Sequence, residues 1–245
     1  MRVDQVADRP PWFNLLVYGD PGVGKTMLCG SALAVPEMGP VLFIDVEGGT
    51  LSLRTKYPTC DVVRVETFKD IQKLYDELYI GNHGYKTVVL DSLTEMQKFS
   101  MYGIMEAMMI KASGEKDRDP DMPGIGEWGK NTEQIRKMVR AFRDLPMNVL
   151  FTALAMTDRD NKTGKITVKP SLSAKLSNEV AGFVDIVMYM YILTVDKTNH
   201  RLLLPGATEK YIAKWRDAPE PLPDAITDPT MTMLYDMIYH KETSE

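Results

Sequence analysis

The 245 residues predict an α/β fold: a mostly parallel sheet between helices, with antiparallel strands added at the C-terminal edge. Three observations carry that expectation. Short runs such as Val41-Leu42-Phe43-Ile44 and Val88-Val89-Leu90 are apolar throughout, too uniform for a strand wetted on one face, so they belong inside a parallel sheet. They alternate with stretches of helical spacing, as crossover connections require. Past residue 184 the alternation stops and short strand-like runs follow one another across turns, which is an antiparallel pattern.

Taken in order, residues 1–11 read as an arm closed by Pro10-Pro11, and 13–18 as a buried strand. A glycine-rich turn follows, then a helix over 26–34 and a loop over 36–40. Strand 41–46 runs into Glu47-Gly48-Gly49-Thr50, and a new segment occupies 51–57. A short strand at 62–65 precedes a helix over 68–80, where Ile71, Leu74, Tyr75 and Leu78 share one face and 81–84 ends it. Strand 87–92 leads to a long Met-rich helix, 93–112. The polar segment 113–126, broken by Pro120 and Pro123, predicts a surface loop. An amphipathic helix spans 127–145, a strand 147–154, a polar turn or hairpin tip 158–165, and a helix 171–181. Strands at 184–193, 201–204 and 211–214, a Pro-rich segment over 219–229 and a helix over 230–239 complete the chain. No repeat or low-complexity tract interrupts it, so we expect one domain.

Bulk properties narrow the partners. Twenty-nine basic against 34 acidic residues give a net charge of −5, which excludes a general polyanion binder and leaves nucleic-acid contact to local basic loops. Cys29 and Cys60 have no metal-ligand spacing and read as reduced, small hydrophobes. No signal-like run opens the chain and no window approaches a membrane span, so the expectation is a cytoplasmic protein without membrane contact. Most of the 17 methionines sit in apolar helix patterns as core filler.

Gly19-Asp20-Pro21-Gly22-Val23-Gly24-Lys25-Thr26 satisfies the phosphate-loop pattern G-x-x-x-x-G-K-[ST], between a strand and a helix as the motif demands. Glycines let successive N–H groups converge on an anion, and the helix that opens at Thr26-Met27 adds its positive end. Lys25 is placed to reach the β- and γ-phosphates of ATP, and Thr26 to ligate Mg²⁺. Asp91 ends an apolar strand, where a carboxylate can hold the same ion. Glu47, at another strand terminus, is the candidate to activate water, with Asp45 its competitor two residues back.

Phe43-Ile44-Asp45-Val46-Glu47-Gly48 resembles the F-I-D-x-E stretch of the RecA recombinases, where the glutamate is the catalytic base. Val88-Val89-Leu90-Asp91-Ser92 resembles the same family's metal strand. The likeness runs from about residue 13 to 216 and is strongest to the compact phage RecA-like ATPases, among them the Sak-type single-strand annealing proteins. Ala213-Lys214-Trp215-Arg216 is similar to the A-K-x-R element of RecA-fold ring ATPases such as the DnaB helicases. In that element Lys214 and Arg216 would serve a neighbouring subunit's γ-phosphate, and strand alternation puts both on one side. One departure stands out: where recombinases carry an asparagine and a glutamine that sense the phosphate, this chain has Ala153-Leu154, leaving Thr152 for a sensing contact.

The resemblance implies a P-loop ATPase, stimulated by single-stranded DNA, assembled as a ring or filament and working beside a single-strand binding protein. It puts DNA-binding loops at 113–126 and 155–169. The second carries Arg159, Lys162, Lys165 and Lys169. In the first, Lys116 and Arg118 lie among four acids. Two other readings stay open: a helicase-like or helicase-loading ATPase, and an ATP-switched DNA-binding module with negligible turnover.

Overall fold

A computed structural model describes residues 12–111, 119 and 121–239. The N-terminal arm, Lys116 and Arg118 lie outside them.

The sheet grows outward from β1 (Asn14–Gly19), all six of whose residues are buried. On one side β1 pairs in parallel with β5 (Asn148–Arg159), and on the other with β7 (Ile186–Val195). β4 (Thr87–Asp91), β2 (Val41–Asp45) and the edge strand β3 (Asp61–Arg64) continue the parallel array beyond β5. Beyond β7 come the antiparallel β8 (Thr198–Leu204) and then β10 (Ile226–Thr227), while β6 (Ile166–Pro170) pairs with β5 and the two-residue β9 (Lys214–Trp215) with β7. The expected architecture is therefore present: a parallel sheet between helices, extended by antiparallel strands.

Period-2 alternation gives the sheet two cores. Leu16 and Tyr18 of β1 face one side, covered by α2 (Phe68–Ile80), α3 (Leu93–Lys111), α4 (Ile125–Arg143) and α5 (Ala174–Phe183). Leu15 and Val17 face the other, covered by α1 (Lys25–Gly30) and α6 (Met231–Tyr239). Each such fully buried aliphatic side chain contributes about 1.5–3 kcal/mol, which is why the central strands read as unbroken apolar runs. α2 is bounded as its sequence demands, by a reciprocal Thr67–Asp70 capping box and by Gly81 in the left-handed region.

Several boundaries differ from expectation. The helix after the glycine-rich turn is α-helical only through Gly30 and finishes as a tighter 3-10 turn, Ser31–Ala34. The run 184–193 is not purely antiparallel, because β7 lies parallel to β1 along one edge. Tyr211 makes only an isolated bridge to Val168, and β9 begins at Lys214.

At 155–169 the hairpin tip expected at 158–165 is present, but the strands that lead to it were not foreseen. β5 does not stop at Leu154 but runs on to Arg159, and β6 returns antiparallel to it from Ile166. Asp160 builds the turn, its carboxylate accepting from the N–H groups of Lys162 and Thr163, with Gly164 at φ 71°. This ribbon lies beyond the end of β1, so its strands lack the apolar signature of the sheet interior. β7 and β8 likewise continue together to a turn whose Asp196 and Lys197 both have positive φ, matching the twist of a two-residue hairpin.

Candidate nucleotide site

The carboxyl ends of β1, β2 and β4 meet at one edge of the sheet, where parallel α/β folds bind ligands. The loop leaving β1 is shaped by close approaches. A Cβ on Gly19 would stand 2.2 Å from the Met190 carbonyl oxygen of β7, and one on Gly24 would stand 2.8 Å from Arg201 Nε. Gly24 also has φ 106°, a conformation that glycine adopts without strain. Lys25 is buried beneath the loop and donates to the carbonyls of Gly19 and Asp20, each at 2.9 Å. Burial lowers its pKa, against the pull of the Glu47, Asp91 and Asp20 carboxylates.

Asp91, buried at the end of β4, accepts from two hydroxyls: Thr26 Oγ1 on Oδ2 at 2.7 Å and Thr152 Oγ1 on Oδ1. Its backbone carbonyl also accepts the N–H groups of Val46 and Glu47, which ties the turn after β2 to β4. Thr26 and Asp91 thus offer two hard oxygen donors side by side, a set that fits Mg²⁺. Among the described residues no group of three His, Cys, Asp or Glu side chains gathers around a metal site. A two-ligand arrangement is what an ion shared with phosphates and water requires.

Asp45 and Glu47 differ in their surroundings. Asp45 is buried and committed to the loop: it accepts from Gly48 N at 2.6 Å, Gly49 N at 3.2 Å and Thr50 Oγ1 at 2.6 Å. Glu47 is exposed, and its carboxylate makes no hydrogen bond to the described residues. Its field reaches Lys25, and also Lys98 on α3, whose pKa is raised chiefly by the hydrogen bond to Glu95 and further by Glu47. Asp45 shapes the turn that presents Glu47.

Two contributors had no local sequence signal. Arg201 of β8 donates from Nε to the Val23 carbonyl at 3.1 Å, while its backbone is held by Asp228. Beside it a cavity of about 200 Å³ opens between Gly24, Met27, Tyr57, Arg201 and Asp228, which is where Met27 comes to lie. Tyr18, the residue before Gly19, donates its buried hydroxyl to the carbonyls of Val168 at 3.1 Å and Ile212 at 2.7 Å. Burial pushes that phenol far above its usual pKa.

Lys214 and Arg216 lie elsewhere. β9 pairs with Ile186 and Val187, which lie alongside Leu15 and Leu16, at the start of β1 and away from this chain's own phosphate loop. Lys214 Nζ and Arg216 Nη2 both donate to the Gly182 carbonyl near the end of α5, so they do share a side, and Arg216 pairs with Asp185 at 3.3 Å. Arg159, Lys162 and Lys165 are exposed at the tip of the β5–β6 ribbon. Lys169 is not a fourth cation of that set. Pairing with Met156 turns it to the opposite face from Val168, where it is buried and bonded to Asp158 at 2.5 Å.

The AAA domain family matches residues 13–216, from the first strand to Arg216. The chain belongs to that family. Two solved structures share the fold. A KaiC-like protein from Pyrococcus horikoshii is 14% identical, with 89% of each chain covered and a TM-score of 0.52. The flagellar accessory protein FlaH from Methanocaldococcus jannaschii is 11% identical, with 88% of this chain and 84% of that one covered and a TM-score of 0.50. No curated protein matches it. The AAA domain described here is thus a P-loop ATPase of RecA-like fold. Among the described residues no helix is long and apolar enough to cross a membrane.

Proposed function

We propose that this ATPase acts on single-stranded DNA, in recombination or strand annealing of the phage type, as a homo-oligomeric ring or filament. One observation carries the reading: β5 joins the two candidate regions. Its Thr152 touches the Asp91 carboxylate, and seven residues on, the same strand delivers Arg159 to an exposed basic tip. A strand rigid at one end and cationic at the other connects the γ-phosphate region with a polyanion.

At the nucleotide, the loop N–H groups and the Lys25 ammonium bind and orient the phosphates, Lys25 exchanging the Gly19 and Asp20 carbonyls for phosphate oxygens. Thr26 and Asp91 hold Mg²⁺, which when bound neutralises charge on the phosphate oxygens. Glu47 accepts the proton of the attacking water as the bond from the γ-phosphorus to the ADP oxygen breaks. Lys214 and Arg216 serve the neighbouring subunit's nucleotide, for which Arg216 exchanges Asp185 for a phosphate.

The held state of Arg216 also favours a second reading, an ATP-switched DNA-binding module with little turnover. Mixing two inactive variants separates them. Arg216→Ala keeps its own phosphate loop and Lys25→Ala keeps its trans cations, so a mixed interface restores part of the hydrolysis that each has lost. Co-assembly without recovery, together with ATPase activity indifferent to single-stranded DNA in the parent, selects the switch.

A further inference from the structure

The β5–β6 and β7–β8 ribbons are joined by aromatic rings. Tyr211, bridged to Val168 of β6, stacks on Tyr189 of β7 with centroids 4.4 Å apart and planes 17° apart. Tyr189 stacks in turn with Tyr191, at 5.7 Å and 11°. Tyr189 is buried and packs against Tyr18, which fixes the row from below. Tyr191 and Tyr211 are half-buried. Lys210 lies over Tyr211 at 5.1 Å from its centroid, whereas Tyr191 has, among the described residues, Tyr189 as its single ring neighbour.

Arg159 shares this face. Val168, Tyr189 and Ala155 belong to one side of the sheet, so alternation along β5 brings Thr157 and Arg159 to that side. Ile166, opposite Arg159, joins them with 46% of its surface exposed, and Leu193, two residues beyond Tyr191, is exposed equally. A stacked ring at the end of a row, on a face that also carries exposed apolar groups and Arg159, combines the two elements that hold single strands: a π-surface for a base and positive charge along the backbone.

We infer that Tyr191 is a stacking platform for a base of single-stranded DNA, its plane set by Tyr189 and Tyr211, with the adjoining phosphates on Arg159, Lys162, Lys165 and Lys210. This rests on the DNA reading above and adds the surface and the mode of contact. Because Tyr189 already holds the Tyr191 ring, little side-chain freedom remains to be lost when a base stacks on it.

The test is fluorescence anisotropy of a labelled oligo-dT with the full chain, across a salt series, beside a matched strand of abasic sites. Tyr191→Ala weakens oligo-dT binding about 10-fold or more without altering the slope of log affinity against log salt, since no phosphate contact is lost. Tyr191→Phe restores the affinity, and the abasic strand binds the parent and Tyr191→Ala alike. A parent that binds no single-stranded DNA overturns the DNA reading and the platform together. Salt-sensitive binding that is indifferent to Tyr191 and to the loss of bases overturns the platform alone. So does Tyr191→Ala with parental affinity but altered sedimentation, which makes this face a contact between subunits.

Discussion

At one edge of the sheet, β2 and β4 end in buried carboxylates that hydrogen bonds tie to the neighbouring loops and helix start, whereas β5–β6 and β7–β8 run on as exposed two-stranded ribbons. In the cradle, Asp91 and Asp45 together accept five hydrogen bonds from hydroxyls and loop N–H groups, which hold the strand ends and loops in one arrangement. In the ribbons, order comes from strand pairing, a few rings and turn hydrogen bonds, and the charged tips are exposed. A small, highly charged ligand rewards a fixed site, because donors that need no rearrangement lose least on binding. A flexible polymer of varying sequence rewards a surface that tolerates adjustment.

The comparison breaks most visibly at Lys25. Lys25→Ala is expected to reduce ATP hydrolysis to background and weaken nucleotide binding, both read in a steady-state assay and by calorimetry; unchanged turnover would remove the cradle from the chemistry. Next in size is the contrast between the two acids. Glu47→Gln keeps ATP binding and melting temperature but loses hydrolysis by about 10²-fold or more, as neutralising a general base does. Asp45→Ala does the reverse at first order, lowering the melting temperature, because each loop N–H left without its acceptor costs about 1–3 kcal/mol where buried. If Asp45→Asn rather than Glu47→Gln shows intact binding with lost turnover, the assignment is inverted.

The ribbons respond more gently. Neutralising Arg159, Lys162 and Lys165 together makes the salt dependence of single-strand binding shallower by up to about 2 in log–log slope, at roughly 0.7 per phosphate released. Thermal stability should change by less than about 0.5 kcal/mol per exposed site. Smallest is a pH effect at the foot of β8. The Arg201 N–H, and then the His200 ring, hold the Asp228 pKa below its ordinary value. A depressed carboxylate contributes stability that is present above its unfolded pKa, near 4, and is lost as pH falls through the folded value. Melting temperature measured against pH should show that acid-side loss in the parent and a shallower one in Asp228→Ala.

These contrasts also explain what the sequence disclosed. The phosphate loop is eight consecutive residues between two regular elements, so its chemistry was readable at once, and the acids at strand ends were readable because parallel strands place them at a common edge. Glu47 was preferred to Asp45 from strand position and resemblance; the three hydrogen bonds that the turn makes to Asp45 had no trace in the sequence. Arg201 reaches Val23 only because β8 pairs with β7 and β7 with β1, a relation over long separations with no local trace. β6 escaped because a ribbon outside the core needs no apolar alternation. Lys169 was counted among exposed cations because a polar loop was expected where a strand turns it inward to Asp158.

Tyr18 stands directly before the phosphate loop with one hydroxyl proton and two carbonyl acceptors, Val168 in one ribbon and Ile212 in the segment leading to β9. A phenol cannot donate fully to both. The hydrogen is therefore divided by position, and whichever carbonyl is drawn nearer takes the larger share. A ligand that pulls the ribbon toward Tyr18 and a ligand that shifts the loop after it compete for, or cooperate over, the same proton. Were the strand proposed for the ribbon and the nucleotide both to bias that hydrogen, linkage would make the two effects equal: the factor by which one changes the other's affinity would be the same read from either end.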